Sequence, residues 1–270
     1  MRSGASYMDR YSTRASQPAT QQSAKSAGRV ASSACQQAST AQRPFAVFDI
    51  DGTLIRWQLY HAIADALSKR GYVDDKAYQK VKDARMLWKR RSESEAFKTY
   101  ETQLVGFYDQ LLNNLSVEHF NEAAGGVFDE YKDQVYTYTR DLIKKLKEKG
   151  YLLFAISGSQ SEIVELIANY YEFDDFIGTT YERSGKFFTG TKIAHLGTKH
   201  EVLKKLAARH RATFDKSVAV GDSTGDITIL EAVAIPIALN PEQKLFAHAK
   251  KHGWKVVVER KNMVYELESR

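Results

Sequence analysis

Four carboxylates in two short segments are the strongest chemical signal in the chain. Asp49 lies near the end of the apolar run 45–50, and Asp51 follows that run directly and precedes Gly-Thr-Leu. Asp222 and Asp226 lie in the segment Gly-Asp-Ser-Thr-Gly-Asp, which follows the apolar run 217–220. Carboxylate pairs at strand ends are typical of cation binding, since buried like charges need positive compensation. Asp-Gly is also a common turn pair, and an Asp also caps helices. Taken alone, each segment leaves both interpretations open.

Two further segments could hold an anion. Ser157-Gly158-Ser159 follows the apolar run 151–156, where a hydroxyl and the amides of a helix start can bind phosphate oxygens, although a helix-capping serine looks the same. Lys199 stands at a predicted helix start, a position that the helix dipole disfavours by a few tenths to about 1 kcal/mol. Surface lysines are common, so Lys199 alone indicates little.

The surrounding pattern predicts elements that would bring these segments together. Apolar runs predict strands at 45–50, 151–156, 217–220, 235–239 and 254–258, alternating with helices at 139–149, 160–171, 198–210, 225–232 and 241–252, and a hairpin at 180–190. Strands that alternate with helices predict an α/β fold with a parallel sheet, whose ligands bind at the carboxyl ends of the strands. Before residue 136, helices are predicted at 74–91, 93–113 and 117–132, the last of them opened by Ser116 as an N-cap, after a first helix beginning near Leu59. We therefore predict a core domain of residues 45–56 and 136–270, with a helical cap domain, 57–135, inserted after the first strand.

The N-terminal segment differs from the rest in composition. Residues 1–44 contain no Leu, Ile, Phe or Trp and carry six basic residues against the single Asp9, so most of the net charge of +6 lies there. Such a segment buries too little apolar area to offset its ordering entropy, which predicts a disordered basic extension. A flexible tail, a targeting segment and a misassigned start all fit it.

Charge and cysteine content limit the partners and the compartment. The nearly neutral remainder gives no reason to expect nucleic-acid binding, and no apolar run approaches the roughly 18–20 residues of a membrane span. The single cysteine, Cys35, cannot form an intramolecular disulfide, which favours a cytoplasmic protein. The sequence leaves the oligomeric state open.

In this order, the four segments resemble the four motifs of the haloacid dehalogenase (HAD) superfamily. The helical insertion, the Ser-Gly pair at 157–158, Lys199 in Lys-His-Glu-Val-Leu and the Gly-Asp-Ser start of the last motif resemble its phosphoserine-phosphatase-like branch. The resemblance covers roughly residues 45–258. It implies a Rossmann-like parallel sheet with helices on both faces, and Mg²⁺-dependent hydrolysis of a small-molecule phosphate monoester through an aspartyl-phosphate intermediate.

The resemblance also implies a role for each motif residue. Asp49 matches the nucleophile and Asp51 the general acid/base. Lys199 and Ser157 match the remaining catalytic positions, which hold the transferring phosphoryl oxygens. The predicted phosphate-binding residues are Thr53, Ser157, Gly158 and Lys199. The predicted Mg²⁺ ligands are Asp49, Asp51 (through its backbone carbonyl), Asp222 and Asp226.

Two alternatives share this fold. A phosphotransferase or mutase would pass the same intermediate to a second alcohol, and a binding protein would keep the fold without catalysis. All motif residues are present, which favours an enzyme over a binding protein. Activity towards p-nitrophenyl phosphate separates these two classes.

The cap departs from a phosphoserine phosphatase. The family's acidic receptor for the substrate amino group, nine residues after the nucleophile, corresponds to the neutral Gln58, and its cap arginine corresponds to Leu104. Gly225 also replaces an expected Asn. These differences predict that the protein is not a dedicated phosphoserine phosphatase. The cap offers other polar and aromatic groups, for which both substrate binding and packing are open: Trp57, Tyr60, His61, Arg85, Trp88 and the basic run 89–91.

Overall fold

The described residues form one sheet of eight strands. The computed structural model describes residues 42–91, 96–193, 198–261 and 263–267. Their strands are β1 (Pro44–Phe48), β2 (Leu152–Gln160), β3 (Asp175–Ser184), β4 (Phe187–Ile193), β5 (Thr213–Gly221), β6 (Ile235–Leu239), β7 (Lys255–Arg260) and β8 (Met263–Leu267). Across the sheet their order is β4-β3-β2-β1-β5-β6-β7-β8, and the six central strands are parallel. The predicted α/β fold is confirmed, with antiparallel strands added at both edges.

Four of the helices lie between β1 and β2, before a fifth that returns the chain to the sheet. They are α1 (Leu59–Lys69), α2 (Asp75–Arg90), α3 (Ala96–Leu112) and α4 (Val117–Tyr131), followed by α5 (Thr137–Glu148). The later helices are α6 (Ser161–Tyr170), α7 (Lys199–Arg209), α8 (Ile227–Leu230) and α9 (Gln243–Lys251). None of the helices in the described ranges is long and apolar enough to cross a membrane.

Alternation along β1 explains why helices cover both faces of the sheet. Ala46 and Phe48 belong to one buried cluster, which also holds residues of α5, α6 and the inserted helices, whereas Phe45 and Val47 belong to another, with residues of α7, α8 and α9. Successive side chains of a strand point to opposite faces, so a continuous apolar run supplies two cores. The inserted helices share the first of these clusters with the sheet. Residues Ala41–Arg270 form one compact unit, and the division into cap and core domains stays a prediction.

The β3–β4 hairpin pairs with the connection between α3 and α4. Asn114 donates its backbone N–H to the carbonyl of Phe188 (3.0 Å), and Phe188 donates back to Leu115 (3.0 Å). The ring of Phe120 meets that of Phe188 edge-on at 5.4 Å. The predicted hairpin is confirmed, and it joins the inserted helices to the sheet edge.

Several details differ from the sequence-based prediction. The strand β2 continues to Gln160, so Ser157 and Gly158 lie on the strand and not at the start of α6. The edge strand β8 was not predicted, since its residues are exposed and give no buried pattern. The strand β5 begins at Thr213, four residues before the buried run. The predicted helix 225–232 is a 3₁₀ turn (Thr224–Asp226) followed by the short α8, because Asp226 accepts hydrogen bonds from the backbone amides of Asp222 and Ser223 and holds the turn tight.

The N-terminal boundary of the core domain also differs from the predicted one. The predicted extension, 1–44, lies mainly outside the described residues, but Pro44 begins β1 and Arg43 already contacts the core. The Arg43 guanidinium donates to the carbonyls of Gly150 (2.9 Å) and Tyr151 (3.3 Å), and its own carbonyl accepts from Thr213 (2.9 Å).

These contacts set the truncation point. We expect removal of residues 1–41 to leave the melting temperature and activity unchanged, on the composition of that segment. Removal of residues 1–43 should lower the melting temperature by a few degrees, because the Arg43 contacts are lost. Differential scanning calorimetry of the two truncated proteins beside the full chain measures this. Equal melting temperatures for the two truncations would show that Arg43 contributes nothing.

Candidate active site

Asp49 lies buried at the carboxyl end of the central strand β1. Lys199, at the start of α7, donates to Asp49 Oδ1 at 2.8 Å and to Asp226 Oδ1 at 2.7 Å, and all three side chains are buried. The lysine thus bridges the first and last carboxylate segments of the sequence. Its position at a helix start, unfavourable to the dipole, is compensated by this pair of acids.

Asp51 is held by donors on both oxygens. The backbone N–H of Leu59 donates to Oδ1 (2.6 Å) and the hydroxyl of Ser157 donates to Oδ2 (2.8 Å). Ser157 in turn accepts from the amide of Ser159 (2.9 Å). Burial raises the pKa of Asp51 above its ordinary value, which these hydrogen bonds partly oppose. A buried carboxyl with a raised pKa suits proton donation.

Glycines allow the two acidic loops to meet. Gly52 has φ +80°, and a Cβ there would lie 2.3 Å from Asp222 Oδ2. A Cβ on Gly221 would lie 2.4 Å from the Cβ of Asp226. Both loops follow neighbouring parallel strands, β1 and β5, so they approach at the same sheet edge. The Asp-Gly and Gly-Asp pairs are therefore packing requirements of the site.

Three of the acids form a cluster that fits a divalent cation. Asp49, Asp222 and Asp226 each offer one oxygen, and these oxygens lie within 4.8 Å of one another. Burial raises the pKa of Asp49 to about 8, which Lys199 opposes and the nearby acids reinforce, and burial also raises the pKa of Asp222. Burial lowers the pKa of Lys199, but the charges of Asp226 and Asp49 outweigh this effect and raise the pKa above its ordinary value. A hard cation with carboxylate ligands, such as Mg²⁺, would supply the missing positive charge.

The side chain of Asp51 lies outside that cluster. Both of its oxygens are engaged by Leu59 and Ser157, so its predicted contribution to a metal site is limited to its backbone carbonyl. Asp226 is also heavily engaged, since its Oδ2 accepts from Ser223 Oγ (3.0 Å) as well as from two amides. The metal ligands remain a prediction.

Two of the predicted phosphate-binding hydroxyls are turned towards carboxylates. Thr53 is fully buried and donates to Asp222 Oδ1 (3.2 Å), and Ser157 donates to Asp51. Gly158 and Lys199, in contrast, line a pocket of about 120 Å³ together with Asp49, Asp51 and Asp222. The structure therefore brings all the predicted residues to one site, where Thr53 and Ser157 orient acids.

The part of the pocket wall that lies outside the four motif segments was only partly predicted from the sequence. Gln58 and Leu104, the two positions that replace charged family residues, both line it. The lining residues for which no motif in the sequence indicates a role are Phe97, Glu101, Val105, Ser159, Thr179, Lys192 and Ser223. Phe97, Glu101, Leu104 and Val105 follow helical spacing on α3, so one face of that helix forms much of the wall. Their spacing was visible in the sequence, but not the direction in which that face points.

Most of the remaining cap candidates are packing residues. His61 is buried and contacts Asp65 (2.9 Å) and Arg85, while Trp57 meets its ring edge-on at 5.6 Å. Trp88 stacks on Tyr100 with ring centroids 5.5 Å apart. Lys89 lies 5.5 Å from the ring of Trp57, and Arg90 and Arg91 end α2. Of this set, Tyr60 lines the pocket.

A buried acid cluster with a bridging lysine, at the carboxyl ends of parallel strands and beside a helical insertion, defines an α/β enzyme site for anionic substrates. The sequence model of the haloacid dehalogenase-like hydrolase family matches residues 46–231, and the chain belongs to that family. The predicted resemblance is confirmed, and the protein is a hydrolase.

Relatives of the chain support this assignment. The chain is similar to a histidinol-phosphatase of Neisseria meningitidis (27% identical over 222 residues, 78% of this chain and 97% of that protein). It is also similar to the phosphoserine phosphatase SerB1 of Mycobacterium tuberculosis (27% over 134 residues), where the match spans 48% of this chain and 44% of the relative. A solved structure of a Bordetella pertussis protein of unknown function has a TM-score of 0.65 at 25% identity, covering 80% of this chain and 98% of its own.

The acid cluster predicts a pH-dependent stability in metal-free protein. The pKa of Asp49 is raised from 3.8 to about 8, so in that pH window the native state holds a proton that the unfolded state releases. Stability from this group is therefore lost as pH rises from about 4 to 8. We expect the melting temperature in EDTA, taken relative to Asp49→Asn, to fall across this window. We also expect Mg²⁺ to stabilise the wild type more at pH 8 than at pH 5. A pH-independent difference between the two proteins would contradict the electrostatic description.

Proposed function

We propose that this hydrolase is a Mg²⁺-dependent phosphatase that acts on a small-molecule phosphate monoester through an aspartyl-phosphate on Asp49. The observation that carries the proposal is the pairing of two differently held acids in one pocket. Asp49 is bound to a lysine at 2.8 Å, whereas Asp51 is bound to neutral donors at 2.6 and 2.8 Å. Opposite environments of this kind separate a nucleophile from a proton donor.

The first step uses these two acids together. A carboxylate oxygen of Asp49 attacks phosphorus, and the bond between phosphorus and the ester oxygen breaks. Asp51 gives its proton to the leaving alkoxide. Leu59 and Ser157 hold the side chain of Asp51 in one orientation, so Asp51 can transfer its proton without changing rotamer.

The second step hydrolyses the phosphorylated Asp49. Asp51, now ionised, accepts a proton from a water that attacks phosphorus, and Asp49 is released with inorganic phosphate. Lys199 stays within reach of Asp49 and neutralises charge that develops on the phosphoryl oxygens. Mg²⁺, held by Asp49, Asp222 and Asp226, would supply further positive charge for the phosphoryl group. Asp226 keeps Lys199 in place between the acids.

The size of the pocket and the names of the relatives support a small substrate. A pocket of about 120 Å³ beside the acids admits a metabolite but not a folded chain. The Neisseria relative is named a histidinol-phosphatase and the Mycobacterium relative a phosphoserine phosphatase. Both names describe small phosphate monoesters.

A panel of phosphate monoesters tests the proposal. With Mg²⁺ we expect release of phosphate from p-nitrophenyl phosphate and from several metabolite esters, and we expect EDTA to abolish it. Addition of acceptor alcohols should leave inorganic phosphate as the main product, which separates a hydrolase from a phosphotransferase. No hydrolysis of any ester would overturn the proposal.

The same panel tests substrate preference. Gln58 and Leu104 give the pocket neither the acidic nor the basic group expected at those positions, so phosphoserine should not be the best substrate. Each missing charged hydrogen bond costs about 1.5–3 kcal/mol. We expect at least one other monoester to exceed phosphoserine in kcat/KM. Phosphoserine ranked first in the whole panel would refute this prediction.

A further inference from the structure

The helix α3 contributes one carboxylate to the pocket wall. Glu101 lines the pocket from α3, and no hydrogen bond or ion pair links its carboxylate to any residue that the structure describes. It is solvent-accessible, so it can meet a ligand without prior rearrangement. Carboxylates in a ligand pocket that lack a protein partner are available to a cation of the ligand.

The other charged residue of that wall is already neutralised. Lys192, on β4, donates to both carboxylate oxygens of Asp109, at 2.7 and 2.6 Å. Tyr181 donates to the same carboxylate at 2.7 Å, so this group is satisfied on several sides. No arginine stands among the residues found to line the pocket. The described wall therefore offers a free acid and lacks a free base for a substrate carboxylate.

The surroundings of Glu101 strengthen the attraction for a cation. Partial desolvation raises its pKa, and the charges of Glu242 and Asp51 raise it further, which the more weakly acting Lys98 and Lys199 oppose. Phe97 lies one helical turn earlier and Val105 one turn later, and both line the same pocket. An aromatic ring beside a carboxylate is a favourable setting for an ammonium or imidazolium group. Gln58, which also lines the pocket, adds a neutral hydrogen-bonding group.

We propose that Glu101 binds a protonated amine of the substrate, and that the substrate class is the phosphate monoester of a small amino alcohol without a carboxylate. This inference rests on the proposed phosphatase function. It places the phosphate at Asp49 and Lys199 and the cationic group at α3. The specificity-determining residue is then on α3, whereas Gln58, which replaces the acid expected from the family resemblance, directly precedes α1.

Matched pairs of esters test this assignment. The ratio of kcat/KM for aminoalkyl phosphates of two to four carbons to kcat/KM for alkyl phosphates of equal length is measured with wild-type protein and with Glu101→Gln. A charge-assisted hydrogen bond corresponds to a factor of roughly ten to a hundred. We expect the wild-type ratio to exceed ten for at least one length and to fall at least fivefold in Glu101→Gln. The exposed cap acid Glu122, changed to Gln, is the matched control and should keep the wild-type ratio.

A charge reversal gives a second readout. In Glu101→Lys the preference should invert, so that carboxyalkyl phosphates exceed aminoalkyl phosphates. Circular dichroism verifies that each variant folds, which an exposed helical position favours. Hydrolysis of all esters with a ratio near one in the wild type would overturn this inference and leave the phosphatase proposal standing. A ratio that Glu101→Gln leaves unchanged would also overturn it. Failure to hydrolyse any ester, p-nitrophenyl phosphate included, would overturn both.

Discussion

Replacement of Asp49 by Asn is expected to reduce Mg²⁺-dependent phosphatase activity by several orders of magnitude while the fold is retained. An amide oxygen is a poor nucleophile, and the proposed mechanism assigns the covalent intermediate to Asp49 alone. Asn matches Asp in size, so the buried site at the end of β1 keeps its packing. The measurement is kcat with p-nitrophenyl phosphate under saturating Mg²⁺, with circular dichroism and thermal unfolding to verify the fold.

The control for this variant is another aspartate that lies outside the site. Asp215 is exposed on β5, so Asp215→Asn should keep wild-type kcat. Mass spectrometry of wild-type protein trapped with substrate should find a phosphoryl group on Asp49. If Asp49→Asn keeps about a tenth of the wild-type kcat, the covalent mechanism is wrong.

Removal of the charge on Lys199 should affect both stability and catalysis. Lys199→Met keeps the length of the buried side chain but leaves Asp49 and Asp226 without the ammonium that now lies at 2.8 and 2.7 Å. Breaking a buried ion pair on one side costs about 3–5 kcal/mol, or roughly 6–20 °C in melting temperature for a domain of this size. We expect kcat to fall by at least a hundredfold as well, because the positive charge beside the phosphoryl group is lost.

The neighbouring surface provides a matched control for Lys199. Lys204 lies on the same helix, α7, is exposed, and pairs only with Glu201 at 3.3 Å among the contacts described. Lys204→Met should change the melting temperature by less than about 2 °C, as expected for exposed pairs. Thermal unfolding in EDTA separates the effect of the lysine from that of the metal. A Lys199→Met protein with wild-type stability and activity would contradict the assigned role.

Local residue patterns were sufficient to predict most of the elements. The apolar run before Asp49 predicted β1, and Ser116 predicted the start of α4, where its hydroxyl accepts from Glu118 (3.2 Å). The hairpin turn, which the Ser-Gly pair at 184–185 indicates, lies one residue later, at Gly185-Lys186 between β3 and β4. These features depend on contacts a few residues apart, which is why composition and spacing reveal them. The edge strand β8 was missed because exposed residues carry little of that signal.

Prediction of the site depended on a combination of motifs. Each acidic segment alone fitted a turn or a cap, and the order of all four segments identified the family. The roles of Thr53 and Ser157 could not be read in this way, because a hydroxyl that orients an acid and one that binds phosphate occupy the same position in the sequence. The structure shows their hydrogen bonds to Asp222 (3.2 Å) and Asp51 (2.8 Å), and their binding of phosphate stays a prediction.

By itself, the sequence predicted the family, the alternation of strands and helices apart from the edge strand β8, and the four carboxylates with Lys199 as the candidate chemical centre. Only the tertiary structure decided that Lys199 bridges Asp49, 150 residues away, and Asp226, 27 residues away. It also decided that α3 directs Glu101 into the pocket while Asp109 neutralises Lys192. The physical reason is that helical spacing specifies which residues share a face, whereas the direction of that face depends on packing against distant parts of the chain.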